Sequence, residues 1–427
     1  MKTLVWCSSA IPVTPSERHS GRPIGRDVHA YQAMLRNYED IARWADAFGF
    51  DGFGSTENHF QTEGGENMPN SLLLYAKLAA QTRQIMFTPM SIVLPAHNPV
   101  RVAEDLALFT HMFPGRLGVA FARGHQTRWM QTLAQDDAIV SHHPGSDARN
   151  REIFDEYLSI VEQAWTEDSF RHQGKHHQVP YPAGGIHNWP LADWTRTYGG
   201  PDEVDVGGTV RRIGVVPKPL HKPTVFIPTS ASPQTVIDAA RNQRTMLITA
   251  RSREKVRSIA ELYRDTARAH GRDLRLGEGA GVVAKVFLGD TFDEAFDLAV
   301  QTSGYWFQTV FQAFGLNEGL RTASDDPHRR LHLDDARALT RRMYESGLLL
   351  CGTADQVQDR MKEIHAVYGG GRLDWFVWEF WAQALPGELA PDIQREQLKT
   401  YAEQIMPAFR DTAFSTSTST SAFTDKE

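Results

Sequence analysis

Residues 49–60 read Gly49-Phe50-Asp51-Gly52-Phe53-Gly54-Ser55-Thr56-Glu57-Asn58-His59-Phe60. The glycine closes an amphipathic stretch over 31–48, in which Met34, Leu35, Tyr38, Ile41, Ala42, Ala45 and Phe48 recur at helical spacing and fall on one face. A short strand over 51–55 follows at once, and it ends in three polar side chains, Glu57, Asn58 and His59. A helix that hands directly to a strand is the unit of a parallel sheet with crossover helices. When such units close into a barrel, chemistry is expected where the strands end and the connecting loops converge.

The same alternation extends in both directions. Upstream lies a strand over 3–7. Downstream come a helix opening near Ser71 and ending before Gln84, a strand over 85–94, a helix over 100–112, the turn Pro114-Gly115, a strand over 117–121 and a helix over 150–165. The proline- and glycine-rich stretch from about 170 to 223 is read as an insertion. Strands over 224–229, 246–249 and 281–288 follow. Between them stand a helix opened by Ser232-Pro233, with a capping hydroxyl and a first-turn proline, and a polar helix over 252–270. Residues 292–314 are read as helical, and no element is assigned from there to 348. Thr353 and Gln356 form a capping-box pattern ahead of a helix to Tyr368, which glycines 369–371 end. A strand over 373–380 and a helix over 393–409 complete eight strands with alternating helices. The expectation is an α/β fold, a (β/α)8 TIM barrel over 1–411. The Ser/Thr-rich residues 412–427 have no apolar period and are read as a disordered tail.

Composition agrees with a single large barrel. The chain has 427 residues, 41% of them hydrophobic, and barrels exceed the usual domain size of about 100–200 residues. A formal net charge of −7, with Lys and Arg scattered among acids, argues against nucleic acid or anionic lipid as a partner. Two distant cysteines, Cys7 and Cys351, make neither a disulfide framework nor a zinc ribbon and suit a reducing cytoplasm. The apolar run after Lys2 is too short for a signal-peptide core, and nothing reaches the roughly 18 apolar residues of a membrane span. A cytoplasmic protein with no membrane partner is expected.

The strand ends carry Ser8, Ser9, Glu57, Asn58, His59, Met90, Ser91, Arg123, Ser230 and Thr249. Arg123, followed by Gly124, is placed to grip a phosphate in bidentate fashion. Ser230 and Ser232 stand at a helix start, where free N–H groups favour an anion. Both fit a phosphorylated cofactor. The histidines His142, His143, His172, His176 and His177 lack the His-Glu-x-x-His spacing of a zinc helix, so no metal is expected, and Arg171 to Lys175 reads as a surface hairpin. Trp189 and Trp194, within the insertion, are candidates for a pocket lid. Trp375, Trp378 and Trp381 are read as core or subunit interface.

An ordered set of motifs then resembles the bacterial-luciferase-like flavin monooxygenases over roughly residues 1–410. It comprises Gly49-Phe50-Asp51 with Glu57-Asn58-His59-Phe60; Ile92-Val93-Leu94-Pro95 with Pro99-Val100-Arg101 and Ala103-Glu104-Asp105; Gly115-Arg116, Gly118 and Arg123-Gly124; Ser230-Ala231-Ser232; and Gly352-Thr353. The resemblance implies a barrel binding reduced FMN, with Arg123, Arg151 and Ser230 on the phosphate and Glu57, Met90, Ser91 and Thr229 as further cofactor contacts. It places a non-proline cis peptide at Met90-Ser91. It also implies a homodimer, and a C4a-hydroperoxide made with O2 that transfers one oxygen atom to a small, apolar organic substrate. The reduced flavin would come from a separate NAD(P)H:flavin reductase, since no Gly-x-Gly-x-x-Gly turn follows a strand here. One departure stands out. The light-emitting catalytic subunit has two histidines after the acidic residue, whereas this chain has Asn58-His59, as in the luciferase subunit that does not itself catalyse. Asn58 can hydrogen-bond but cannot take up a proton, which leaves His59 and His125 as the nearby groups of useful acidity. Hydride transfer with deazaflavin F420 and a non-catalytic flavin-binding subunit are the rival readings. A metal-dependent barrel hydrolase is disfavoured by the ligands missing from the strand ends. Specificity is expected to reside in 170–223 and 307–348.

Overall fold

The computed structural model describes residues 1–137, 139–140, 145–229, 232–249, 253–368, 373–381 and 385–410. Ser230, His142, His143, glycines 369–371 and the Ser/Thr-rich tail, each singled out in the sequence, lie outside them.

The strands are β1 (Lys2–Cys7), β2 (Gly52–Ser55), β3 (Met86–Val93), β4 (Gly118–Ala122), β5 (Thr224–Thr229), β6 (Thr245–Ile248), β7 (Ala280–Leu288), β8 (Leu349–Gly352) and β9 (Trp375–Phe380). Parallel pairings run from β1 through β2, β3, β4, β5 and β6 to β7, and from β7 through β9 back to β1, so eight strands close into a ring. Leu4, Met90, Ala120, Phe226, Leu247, Val283, Trp375 and Val377 form a cluster among these strands, the packed interior of a barrel. Within the opening stretch, Gly54 faces the next strand so closely that a Cβ there would stand 2.4 Å from the Thr88 carbonyl oxygen. Any larger residue would push β2 away from β3.

The helix read over 31–48 runs Val28–Ala47, three residues earlier, because Asp27 caps it by accepting the N–H groups of His29 and Ala30 at 2.8 and 2.9 Å. Its buried face includes Met34, Tyr38, Ile41, Ala42 and Ala45, as the periodicity predicts. At its last turn Asp46 accepts backbone N–H groups from Arg83, Gln84 and Ile85 at 2.9, 3.0 and 2.9 Å, fastening the helix to the start of β3. The caps read at Ser232 and Thr353 are both present.

The stretch left unassigned holds the main departure from the sequence reading. Only the first half of β7 belongs to the ring, where it pairs β6 at Ala280–Val282 and β9 at Gly281–Ala284. Its second half, Lys285 to Leu288, pairs instead with β8. Leu348-Leu349-Leu350-Cys351 is an apolar run too short to be told from the end of the preceding helix, Ala336–Glu345. The helix expected over 292–314 is real from Phe292 to Ala299. It then widens into a π-helical turn, Val300–Gly304, continues as Tyr305–Thr309, and breaks into the tight turns Phe311–Phe314 and Leu316–Leu320. The insertion contains a hairpin, His172–Gln173 with Gln178–Val179, and a short helix, Ala192–Tyr198. No helix of the described residues is long and apolar enough to cross a membrane.

Candidate active site

A cavity of about 420 Å3 lies where the strands end, lined by residues that follow β1, β2, β4 and β9 and by the segment between β7 and β8. Trp6, Trp129, Trp306, Phe307, Phe311 and Trp381 supply much of its apolar wall. A cavity of this size, mostly apolar with a few converging polar groups, is what a small organic ligand requires.

One polar group centres on Glu57. Its Oε1 accepts from His59 Nε2 at 2.9 Å and from His97 Nε2 at 2.7 Å, and its Oε2 accepts from the Val93 N–H at 3.1 Å. Burial would raise the Glu57 pKa, but these donors outweigh it and hold the carboxyl below its ordinary range. Burial alone would lower His97, yet the hydrogen bond and charge of Glu57 raise it. His59 stands behind Glu57, its ring 5.0 Å from that of Trp129; Glu57 and Asn58 line the cavity, whereas His59 does not. The Asn58 amide is fixed at both ends: its Nδ2 donates to Thr56 Oγ1 at 2.9 Å, and its Oδ1 accepts from Gln126 Nε2 at 2.7 Å. His125 lines the cavity, its ring edge-on to Phe314.

Of the second polar group, the sequence reading names only Ser8. Ser8, Glu66, Lys285 and Glu379 all line the cavity. Lys285 Nζ donates to Glu379 Oε1, and Ser8 Oγ donates to Glu66 Oε1 at 3.3 Å. The pairing of Trp378 with Ala284 carries Glu379 to the side of Lys285. A signal existed in the sequence: Lys285 and Glu379 are single charges within otherwise apolar strands, a placement that puts a charge where only a partner can keep it.

Arg123 stands after β4, its Nη1 2.7 Å from Asp147 Oδ1. The helix expected to open at 150 begins at Asp147, so Arg151 lies more than a turn inside it and does not open it. Arg151 and Arg123 both act on Asp155 of this helix, which burial nonetheless leaves with a raised pKa. Thr229, at the end of β5, is buried, and its hydroxyl has no hydrogen-bond partner among the described residues. Ser91 lines the cavity and Met90 packs inside the barrel. The peptide bond between them is not cis: among the described residues every cis bond precedes a proline. The pairing of β3 with β4 shifts register there, between Met90 and Ile92.

The expected lid is also corrected. Trp194 is 63% exposed on the short helix of the insertion, and no residue of 170–223 lines the cavity. Much of the wall comes from Ser303 to Leu320, of which the part from Phe307 onward falls in the other region expected to set specificity. Trp375 and Trp378 are core, as expected, while Trp381 is both buried and a wall residue. Among the described residues no three His, Cys, Asp or Glu side chains gather as metal ligands would.

Residues 22–370 match the family described as luciferase-like monooxygenase. The chain belongs to that family. Over 195 residues this luciferase-like protein is 28% identical to 3,6-diketocamphane 1,6-monooxygenase of Pseudomonas putida, covering 42% of this chain and 51% of that one. The match thus spans about half of that relative's length. Its fold is similar to that of the oxygenating constituent of the Pseudomonas putida 3,6-diketocamphane monooxygenase, a type II Baeyer-Villiger monooxygenase solved with FMN. There the TM-score is 0.66 at 20% identity, over 96% of this chain and 98% of that one. An F420-dependent secondary alcohol dehydrogenase is similar in fold as well, with TM-score 0.59 at 13% identity over 96% and 100% of the two chains. At these identities the likeness to solved structures is one of fold.

Proposed function

We propose that this luciferase-like protein is the oxygenating enzyme of a two-component flavin monooxygenase. It takes reduced FMN from a separate NAD(P)H:flavin reductase and transfers one atom of O2 to a small, largely apolar organic substrate. The observation that carries this reading is the aromatic-walled cavity at the strand ends of a barrel of this family. Residues beyond the cavity lining are the ones that fit the cofactor's phosphate: Arg123, beside Asp147, and Arg151 both act on Asp155, and the buried Thr229 hydroxyl has no partner among the described residues, one that a phosphate or ribityl oxygen would provide. Ser230, Ser91, Met90 and Glu57 complete the set proposed to hold it. A homodimer in the cytoplasm is part of the same reading, and exposed Leu73, Leu108 and Met112 on the outer helices Ser71–Gln81 and Pro99–Met112 support it.

Reduced FMN, when bound, supplies the electrons that activate oxygen. The chain's own residues do the rest. Trp306, Phe307, Phe311 and Trp381 keep water from the reacting atoms. Glu57, on the cavity wall, links that wall to the His59 imidazole behind it, the ring proposed for proton transfer, and the fixed Asn58 amide offers a hydrogen bond without changing charge. His125, on the same wall, is the second titratable ring assigned to the chemistry.

Anaerobic titration with reduced FMN and with reduced F420, followed by rapid mixing with oxygen, tests the proposal. Tight binding of reduced FMN and reoxidation much slower than that of the free flavin are expected. Preference for F420 would replace oxygenation by hydride transfer, and bound FMN reoxidising like free flavin would make the chain a binding subunit. Under the first outcome, His59→Ala should lower turnover about 100-fold while leaving FMN affinity within twofold. Turnover that is unchanged removes His59 from the chemistry.

A further inference from the structure

The buried Lys285 and the half-buried Glu379 satisfy one another as an ion pair, and Glu66 is a third ionisable group on the same cavity wall. Glu66 is only 8% exposed and sits in the loop after β2. Its N–H donates to Gln61 Oε1 at 3.0 Å, and its carboxyl accepts from Ser8 Oγ. The charged groups that act on it are Glu379 of β9, which repels a second negative charge, and Lys285 of β7, already engaged by Glu379. Glu57, His59 and His97 form their own set in the segments that follow β2 and β3. With two carboxylates and one ammonium, the cluster is neutral when it keeps one proton, and among apolar walls the neutral form is favoured. A carboxylate accepts hydrogen bonds only; the same group protonated also donates one.

We infer that Glu66, backed by the Lys285–Glu379 pair, is the specificity-determining acid of this cavity, donating a hydrogen bond to a neutral acceptor atom on an otherwise apolar ligand. The inference names the kind of substrate for the site to which oxygenation is assigned, and in that respect it rests on the proposed function. A ligand with a carbonyl, ether or similar neutral oxygen is taken at this wall. An anion would meet the Glu379 carboxylate, whose one cation is already engaged, and a plain hydrocarbon would leave the acid without an acceptor. Burial, then the charge of Glu379, lifts the Glu66 pKa to about 7. The proton is therefore present below neutrality and lost above it, and ligand selectivity follows.

The test uses the full chain, with and without oxidised FMN, and the probes cyclooctanone and methylenecyclooctane, which differ by C=O in place of C=CH2. Binding is read by calorimetry or by the fluorescence of the wall tryptophans, with neither reductant nor oxygen present. At pH 6 the ketone should bind about tenfold more tightly than the alkene, and the advantage should fall toward parity by pH 8.5, with its midpoint near 7. Glu66→Gln keeps an N–H donor and should retain the preference with a flat pH profile; Glu66→Leu should abolish it at every pH. The bound ketone's C=O stretch should move to lower frequency in the unsubstituted protein at pH 6. Parity of the two probes at pH 6 in both FMN states, or failure of the ketone to bind in both, overturns the inference. So does a pH dependence that survives in Glu66→Gln. Should a variant fail to fold, the probe pair and the infrared band in the unsubstituted protein decide. Because no turnover is involved, a failed flavin titration and a failed probe comparison are separate results.

Discussion

Glu57→Ala is expected to lower the free energy of unfolding by about 4 kcal/mol, more than other single changes at the cavity. Removing the carboxylate strands three donors at once: the Val93 N–H and the imidazoles of His59 and His97. The Val93 N–H is buried and the two imidazoles only partly so; a buried donor left without an acceptor costs about 1–3 kcal/mol, and less where solvent reaches it. His59→Ala removes one donor from an acceptor that keeps two others, and its cost should stay near 1 kcal/mol. Glu57→Gln keeps the shape but turns an N–H2 group toward one of the donors, so an intermediate loss is expected. The pH dependence has a definite sign. The Glu57 pKa is depressed below 4.5, so its contribution is present above that value and lost as pH falls through the lower folded value. The His97 pKa is raised above 6.5, so its contribution is present below 6.5 and lost as pH rises through the higher folded value. The difference between Glu57→Ala and the unsubstituted protein should therefore be greatest between about pH 4.5 and 6.5. Urea denaturation at half-unit steps from pH 4 to 8.5 measures it; a difference that does not vary with pH would mean that the contact is not ionic.

The barrel was legible because its signals are local. Helix faces such as Met34 to Ala45, caps such as Ser232 and Thr353, and apolar runs of strand length each declare themselves within a few residues. The region 289–348 was not legible because its shape is decided by distant partners. β8 exists through pairing with the second half of β7, and the π-helical turn and tight turns that follow carry no periodicity. The site divides in the same way. Glu57, Asn58, Ser91, His125 and Thr249 reach the cavity because strand ends reach it in any such barrel. Glu66 comes from a loop, and Lys285 and Glu379 become a pair only through the register of β7 with β9. Trp189 and Trp194 misled for the opposite reason: an aromatic residue in an insertion declares nothing about which surface the insertion covers. The cis peptide that the resemblance places at Met90-Ser91 is absent, and a register shift of β3 against β4 lies there instead.

The Arg123–Asp147 pair yields two variants that should move cofactor affinity in opposite directions. The guanidinium holds the carboxylate at 2.7 Å, with the two side chains 27% and 45% exposed, so the contact is partly solvated and weak by the standard of buried pairs. A phosphate at this strand end would need the same Nη groups and would stand close to the Asp147 charge. Asp147 therefore competes with the phosphate for Arg123 as well as repelling it. Arg123→Ala removes the grip and should weaken FMN binding about 100-fold, the loss of a charge-assisted bidentate contact. Asp147→Asn removes competitor and repulsion together and should strengthen it about threefold at low salt, less as screening grows. The carboxyl of Asp155 lies in the field of both Arg123 and Arg151, so Arg151→Ala should act in the direction of Arg123→Ala, and more weakly. A purely structural ion pair would behave otherwise: both single variants would cost stability alike and leave FMN affinity equal. Calorimetric titration with oxidised FMN at two ionic strengths, beside a melting curve for each variant, separates the cases. Affinity unchanged in Arg123→Ala, or lowered equally in Arg123→Ala and Asp147→Asn, would remove the phosphate from this strand end and with it the anchor on which the flavin's placement depends.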